Sequence, residues 1–173
     1  MISKMMFGAC AGLAALVAVA LPVSQSARAE TAAPAIHIDV PVKMKEAKMV
    51  FNMDHLAFAG DMPVGMKYML LSSERLPKVG TTVKIVGVFH GAAGYMLLND
   101  EKYNAVRGVK TGNPYKGIIK NLIDHGVEIE ECFVTMTANH WTNSDLLPMV
   151  KVNSGAVGRI VQLVQEGYVQ IQP

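Results

Sequence analysis

From Lys48 onward the chain alternates two kinds of apolar pattern. Short runs rich in β-branched and aromatic residues predict strands: Met49 to Met53, ending at Asp54-His55; Val83 to Phe89, halted by His90-Gly91; Val127 to Val134; Val150 to Val152; and Tyr168 to Ile171. Between them the apolar residues recur at helical spacing. One helix opens at Asp61-Met62-Pro63, with Pro63 in its first turn, and runs to about Leu76. A helical stretch covers 92–99, and after a Gly-punctuated loop another covers 113–125, with Ile118, Ile119, Leu122 and Ile123 on one face and Gly126 as its C-cap. A polar loop with Asn139, His140, Trp141 and Asn143 follows the third strand. Ser154 caps the last helix, which turns Ile160, Leu163 and Val164 inward and ends at Gly167. Strands separated by helices imply βαβ units. The expected fold is therefore a single α/β domain, with helices on both faces of a mainly parallel sheet.

Upstream the pattern changes. Ile36, Ile38, Val40 and Val42 alternate with His37, Asp39, Pro41 and Lys43, which predicts an extended arm. Pro41 cannot donate to a ladder, so the arm belongs at a sheet edge or on a partner subunit. Before it stands a leader: Lys4, an apolar run from Met5 to Ala20, Pro22, then the small-x-small pattern Ala27-Arg28-Ala29. The expected organisation is a signal peptide at 1–29 cleaved after Ala29, a linker and arm at 30–47, and a domain at 48–173. The product is expected to be periplasmic. The apolar run is shorter than the ~20 residues that span a bilayer, so no membrane insertion is expected after cleavage.

Removing Lys4 and Arg28 leaves 14 basic residues against 14 acidic ones, which gives no basic surface for nucleic acid. With 51% hydrophobic and 17% charged residues, the composition is that of a folded chain. Gly87, Gly91 and Gly94 do not form a GxGxxG fingerprint, and no cofactor is expected.

In a parallel sheet the C-terminal strand ends open on one edge, where ligands bind. That rule gathers His55, His90, Cys132 and His140 as candidate catalytic groups or weak candidate metal ligands. Cleavage would remove Cys10 and leave Cys132 as the lone thiol, so it forms no intramolecular disulfide. The bland role for such a residue is a buried, inert hydrophobe. A reactive role requires a thiolate, and Glu128, Glu130 and Glu131 oppose it if they point at the sulfur. Support has to come from His90, His140 or helix ends. Met62, Met66 and Met69 share a helix face that suggests a soft copper site, but core packing is the favoured reading.

Three segments carry a resemblance. Gly126-Val127-Glu128-Ile129-Glu130-Glu131-Cys132 is similar to a GVxxxxC strand, and DLLPMVKVNSGAVGRIVQLVQEGYVQIQP at 145–173 to a DLLPGVKV, Ser-to-helix and G-[YW]-x-x-I ending. VGVFHGAAGYMLLND at 86–100 resembles the strand and His-Gly segment upstream. The chain thereby resembles the DsrE/DsrF-like proteins of sulfur metabolism. The resemblance implies a compact three-layer α/β/α fold with a five-stranded parallel sheet, assembled as a homo-oligomer of trimers or stacked trimers. It implies that Cys132 carries sulfane sulfur as a persulfide between a donor and an acceptor, either proteins or small thiols. His90 matches the family's His-Gly motif. Met149 stands where the family has Gly, so that loop is expected to tolerate a side chain. Two other functions stand beside the carrier. One is a non-catalytic oligomeric module holding a small ligand or metal at the strand-end cleft; the other is a structural oligomer with a buried thiol.

Overall fold

The computed structural model describes residues 36–173. The expectations for 1–29, including the cleavage site and Cys10, lie outside the described residues. Residues 36–45 have no regular secondary structure, and the predicted arm is not a strand there; Val40 and Val42 are exposed.

Among the described residues, regular structure starts with β1 (Glu46–Met53), followed by a two-stranded hairpin, β2 (Phe58–Ala59) and β3 (Met62–Pro63), and then α1 (Val64–Arg75). β4 (Thr82–Phe89) leads through a 3-10 segment, Gly91–Leu97, into α2 (Asp100–Arg107) and α3 (Lys116–Asp124). β5 (Glu128–Cys132) runs directly into α4 (Phe133–Ala138), and β6 (Lys151–Asn153), α5 (Ala156–Gln165) and β7 (Val169–Ile171) complete the chain. The five long-range strands form one parallel sheet in the order β6-β5-β4-β1-β7. This is the expected three-layer α/β/α domain. No helix among the described residues is long and apolar enough to cross a membrane.

Alternation along the strands builds two unequal cores. Phe51 and Met53 of β1, Ile85 and Phe89 of β4 and Ile129 of β5 face α1, α3 and α4, packing on Met66, Met69, Ile119, Leu122 and Met136. Val50, Val86, Val88 and Cys132 face α5, packing on Ala156, Ile160 and Leu163. At Gly87 a Cβ would approach Met69 Sδ to 2.9 Å, so the absent side chain lets α1 close on the sheet. Met66 and Met69 are fully buried, which bears out the core reading for these two; Met62 lies in the hairpin, outside α1, and is exposed, so the three do not share a helix face.

Five local expectations change; one is that Val164, expected to turn inward on the last helix, is exposed on α5 beside the buried Ile160 and Leu163. Pro63 is the N-cap of α1 and pairs with Phe58. The 92–99 helix is a 3-10 segment, and the loop expected after it contains α2, whose Asn99 cap accepts the Lys102 N–H and whose Gly108 adopts φ 65. The third strand stops at Cys132 instead of Val134. Gly155, not Ser154, is the N-cap of α5, and its N–H donates to Asn153 Oδ1 at 3.0 Å. Met149 is 75% exposed but adopts φ 67, so the loop accepts a side chain while keeping a backbone that favours glycine.

Candidate functional site

Register places the strand ends side by side. Met53 pairs with Phe89, Phe89 with Glu131, and Cys132 with Asn153. One residue beyond Met53 and Phe89 come Asp54 and His90, so Asp54, His90 and Cys132 form one row along the C-terminal edge.

Cys132 is the last residue of β5 and the N-cap of α4, with φ −79° and ψ 122°. It is only 4% exposed. Its Sγ accepts the N–H of Ala156, the first residue of α5, at 3.3 Å. Burial opposes the thiolate, but the N–H groups of Thr135, Ala156 and Val134 and the Thr135 hydroxyl outweigh it. They hold the thiol below the ordinary cysteine value. Thr135 is itself fixed by Gly91, whose N–H donates to its Oγ1 at 2.9 Å.

The three glutamates do not collect around the sulfur as anions. Glu130, 4% exposed at its side chain, accepts from Arg159 Nε at 2.9 and 3.1 Å and from Nη2 at 2.7 Å, with Asn153 Nδ2 at 3.0 Å. Glu128 pairs with Lys151 and Arg159. Glu131 lies on the opposite face, fully buried, with its pKa pushed up to about 9 chiefly by desolvation.

His90 occupies a separate polar network. Its Nε2 lies 2.7 Å from Asn52 Oδ1, while Asn52 Nδ2 donates to Gln172 Oε1 at 2.7 Å. This orientation of the amide assigns the Nε2–H tautomer and leaves the lone pair on Nδ1. Burial pushes the His90 pKa down against the pull of Asp54, favouring the neutral ring. Gln172 Nε2 also donates to Asp54 Oδ1 at 2.9 Å. Asp54 is held below the usual carboxylate range, mainly by its hydrogen bond from His55.

The structure thus brings His55 and His90 together around Asp54, in the same row as Cys132. His140 is exposed beyond α4, at φ 55. Neither His90 nor His140 hydrogen-bonds Sγ among the described residues; the polar groups that touch it come from helix ends and Thr135. Also among the described residues, no three His, Cys, Asp or Glu side chains gather as a metal site. A polar groove of about 510 Å³ borders this edge, lined by Glu130, Asn153, Ser154, Gly158 and Arg159. Sequence reasoning missed Thr135, Ala156, Arg159 and Gln172. The Ser-to-helix start was the one signal pointing toward Ala156.

The sequence profile of the DsrE/DsrF-like family matches residues 36–173. No curated protein is significantly similar in sequence. Among solved structures, the chain is similar to the protein of unknown function MTH1491 from Methanobacterium thermoautotrophicum, with 26% identity and a TM-score of 0.54 over 73% of this chain and 99% of that one. The ychN protein from E. coli aligns over the same shares at 13% identity, with a TM-score of 0.45.

Proposed function

The chain belongs to the DsrE/DsrF-like family, and from that premise we propose that it handles sulfur at Cys132, accepting a sulfane sulfur atom as a persulfide and passing it to a thiol acceptor. The observation that carries this reading is the thiol at the start of two helices. Its Sγ accepts the Ala156 N–H, and the surrounding donors favour the thiolate over burial. A thiolate is the attacking species in sulfur exchange.

In the proposed step the Cys132 thiolate attacks the outer sulfur of a donor persulfide, R–S–SH. A new S–S bond forms, the donor's S–S bond breaks, and the donor leaves as R–SH with the proton. Cys132 is left as Cys–S–S⁻, so charge balances and no external oxidant or reductant is used. Attack by an acceptor thiolate on the outer sulfur reverses the exchange and restores the Cys132 thiolate. His90, neutral with a free Nδ1 in the same row, is proposed as the group that takes up the proton of an incoming thiol. The leader at 1–29 is the basis for placing this chemistry in the periplasm.

Self-association is part of the proposal. Phe133 and Val134 on α4 and Val157, Val161 and Val164 on α5 are exposed apolar side chains flanking the thiol, the pattern of a surface made to be covered. A trimer or stacked trimers would place the thiol at a subunit boundary.

The test is intact mass after incubating the reduced protein with glutathione persulfide or polysulfide. The expected increment is about 32 Da, one sulfur atom, absent in Cys132→Ser and lost on adding a thiol acceptor. No adduct, with a thiol that labels only after unfolding, refutes the reading. It would favour the small-ligand module, for which the polar groove beside Asn153 and Arg159 is the supporting feature.

A further inference from the structure

Next to the thiol lies an acidic residue that the sulfur exchange does not use. Glu131 is fully buried on the face of β5 opposite Cys132. Its Oε1 accepts the Cys132 N–H at 3.1 Å, and its Oε2 is buried without a partner. The pocket around this carboxyl group is fitted to it. A Cβ on Gly94 would come within 2.8 Å of Oε1 and 2.9 Å of Thr135 Cγ2, so the missing side chain makes room for the acid. Thr135 in turn supports the thiol from the other side.

Among the described residues no cation compensates a charge there, and the lysines of α3, Lys116 and Lys120, are paired with Asp100 and Asp124. β4 leads into His90, whose Nε2 is bonded to Asn52. The 3-10 segment contributes Tyr95, whose ring lies against Tyr103, Tyr115 and Arg107. α4 carries no ionisable group. Lys151 of β6 is bonded to Glu128, and Arg159 of α5 to Glu130 and Glu128. Among the described residues Glu131 forms no salt bridge, and the charged group it senses is Cys132. An ionised carboxylate with one backbone donor and a bare oxygen in such a site is strongly disfavoured.

We propose that Glu131 is a positioning residue for the thiol: it is carried as the neutral acid, so that Cys132 holds the only negative charge at the end of β5 that no cation pairs with, and each group's ionisation suppresses the other's. This deepens the sulfur-handling reading and rests on Cys132 being the reacting group. Because coupling between two titrating sites is mutual, it is readable from either side. The desolvation that raises Glu131 is reinforced by the Cys132 thiolate.

The experiment follows both groups with pH in the full chain. The infrared C=O band of a protonated carboxylic acid reports Glu131, and the rate of iodoacetamide alkylation reports the thiolate. The band is expected at neutral pH in wild type, absent in Glu131→Gln, and lost near pH 9. In Cys132→Ser its loss is expected at lower pH. Alkylation of Glu131→Gln is expected to titrate where wild type does, since one neutral side chain replaces another. A wild type with no band at neutral pH, a band whose midpoint ignores Cys132→Ser, or a thiol midpoint that drops in Glu131→Gln each overturns the inference. If Glu131→Gln fails to fold, wild type against Cys132→Ser decides. A coupled pair without a persulfide adduct would refute the proposed function and leave this inference standing.

Discussion

Replacing Arg159 with Met tests the idea that the glutamates of β5 are silenced by pairing. The guanidinium makes three contacts of 2.7 to 3.1 Å to Glu130, whose side chain is 4% exposed, while Arg159 is itself 21% exposed. Removing one partner of a buried pair leaves an uncompensated charge and costs about 3–5 kcal/mol. Asn153 still bonds Glu130 Oε2, and the partial exposure of Arg159 admits water, so the lower end, about 3 kcal/mol, is expected. With a urea dependence of about 2 kcal/mol/M for a domain of this size, the unfolding midpoint falls by about 1.5 M. Adding Glu130→Met removes the orphaned charge, and the double variant is expected to recover to within about 1 kcal/mol of wild type. The same single variant leaves an anion two residues from Cys132 on one face of β5. Its thiol midpoint is therefore expected to rise and its alkylation at neutral pH to slow. A midpoint shift below about 0.5 M, or a double variant no better than the single, refutes the reasoning.

Four further outcomes are expected. Glu131 has its folded pKa raised from 4.5 to about 9, so its stability contribution is fully present below pH 4.5 and is lost as pH rises toward 9. Measured by urea midpoints, wild type should lose stability relative to Glu131→Gln across that window, and parallel curves would contradict it. Asn113→Ala removes a buried amide that donates to the Met96 and Leu98 carbonyls at 2.8 and 2.6 Å, leaving both unpaired, and should cost about 3 kcal/mol in denaturant unfolding. Met149→Gly relieves a side chain at φ 67 and should raise the thermal midpoint slightly, by about 0.5 kcal/mol in stability. Val157→Asp on the exposed face of α5 should leave the monomer folded by circular dichroism and lower the mass measured by light scattering.

What the amino-acid pattern made legible was the part governed by local rules. β4 and α3 stand close to their expected bounds because β-branched runs and an apolar stripe with Gly126 at φ 80 leave few alternatives. The expected third strand runs on to Val134 because Phe133 and Val134 continue the β-forming run; packing of Met136 overrides that preference and makes them the first residues of α4. α2 buries Tyr103 alone among its residues, so it shows no apolar period, although Asn99, Asp100 and Glu101 before Gly108 were a capping signal in plain view. The site was legible as a row of strand ends. Its chemistry was not, since the Arg159–Glu130 pair and the Asn52–Gln172 hydrogen bond join residues 29 and 120 positions apart. No local pattern encodes such contacts.

The strand order also bears on how the chain reaches its fold. The native sheet ends in β6 and β7, each of three residues, and such short edges offer little template for another chain. β1, at eight residues, is shielded on one side by β7, whose partner residues lie about 120 positions away. Until that last segment arrives, a long and largely apolar strand edge is open. Refolding should therefore be slow for a domain of this size, and species lacking a docked β7 should be the ones that aggregate.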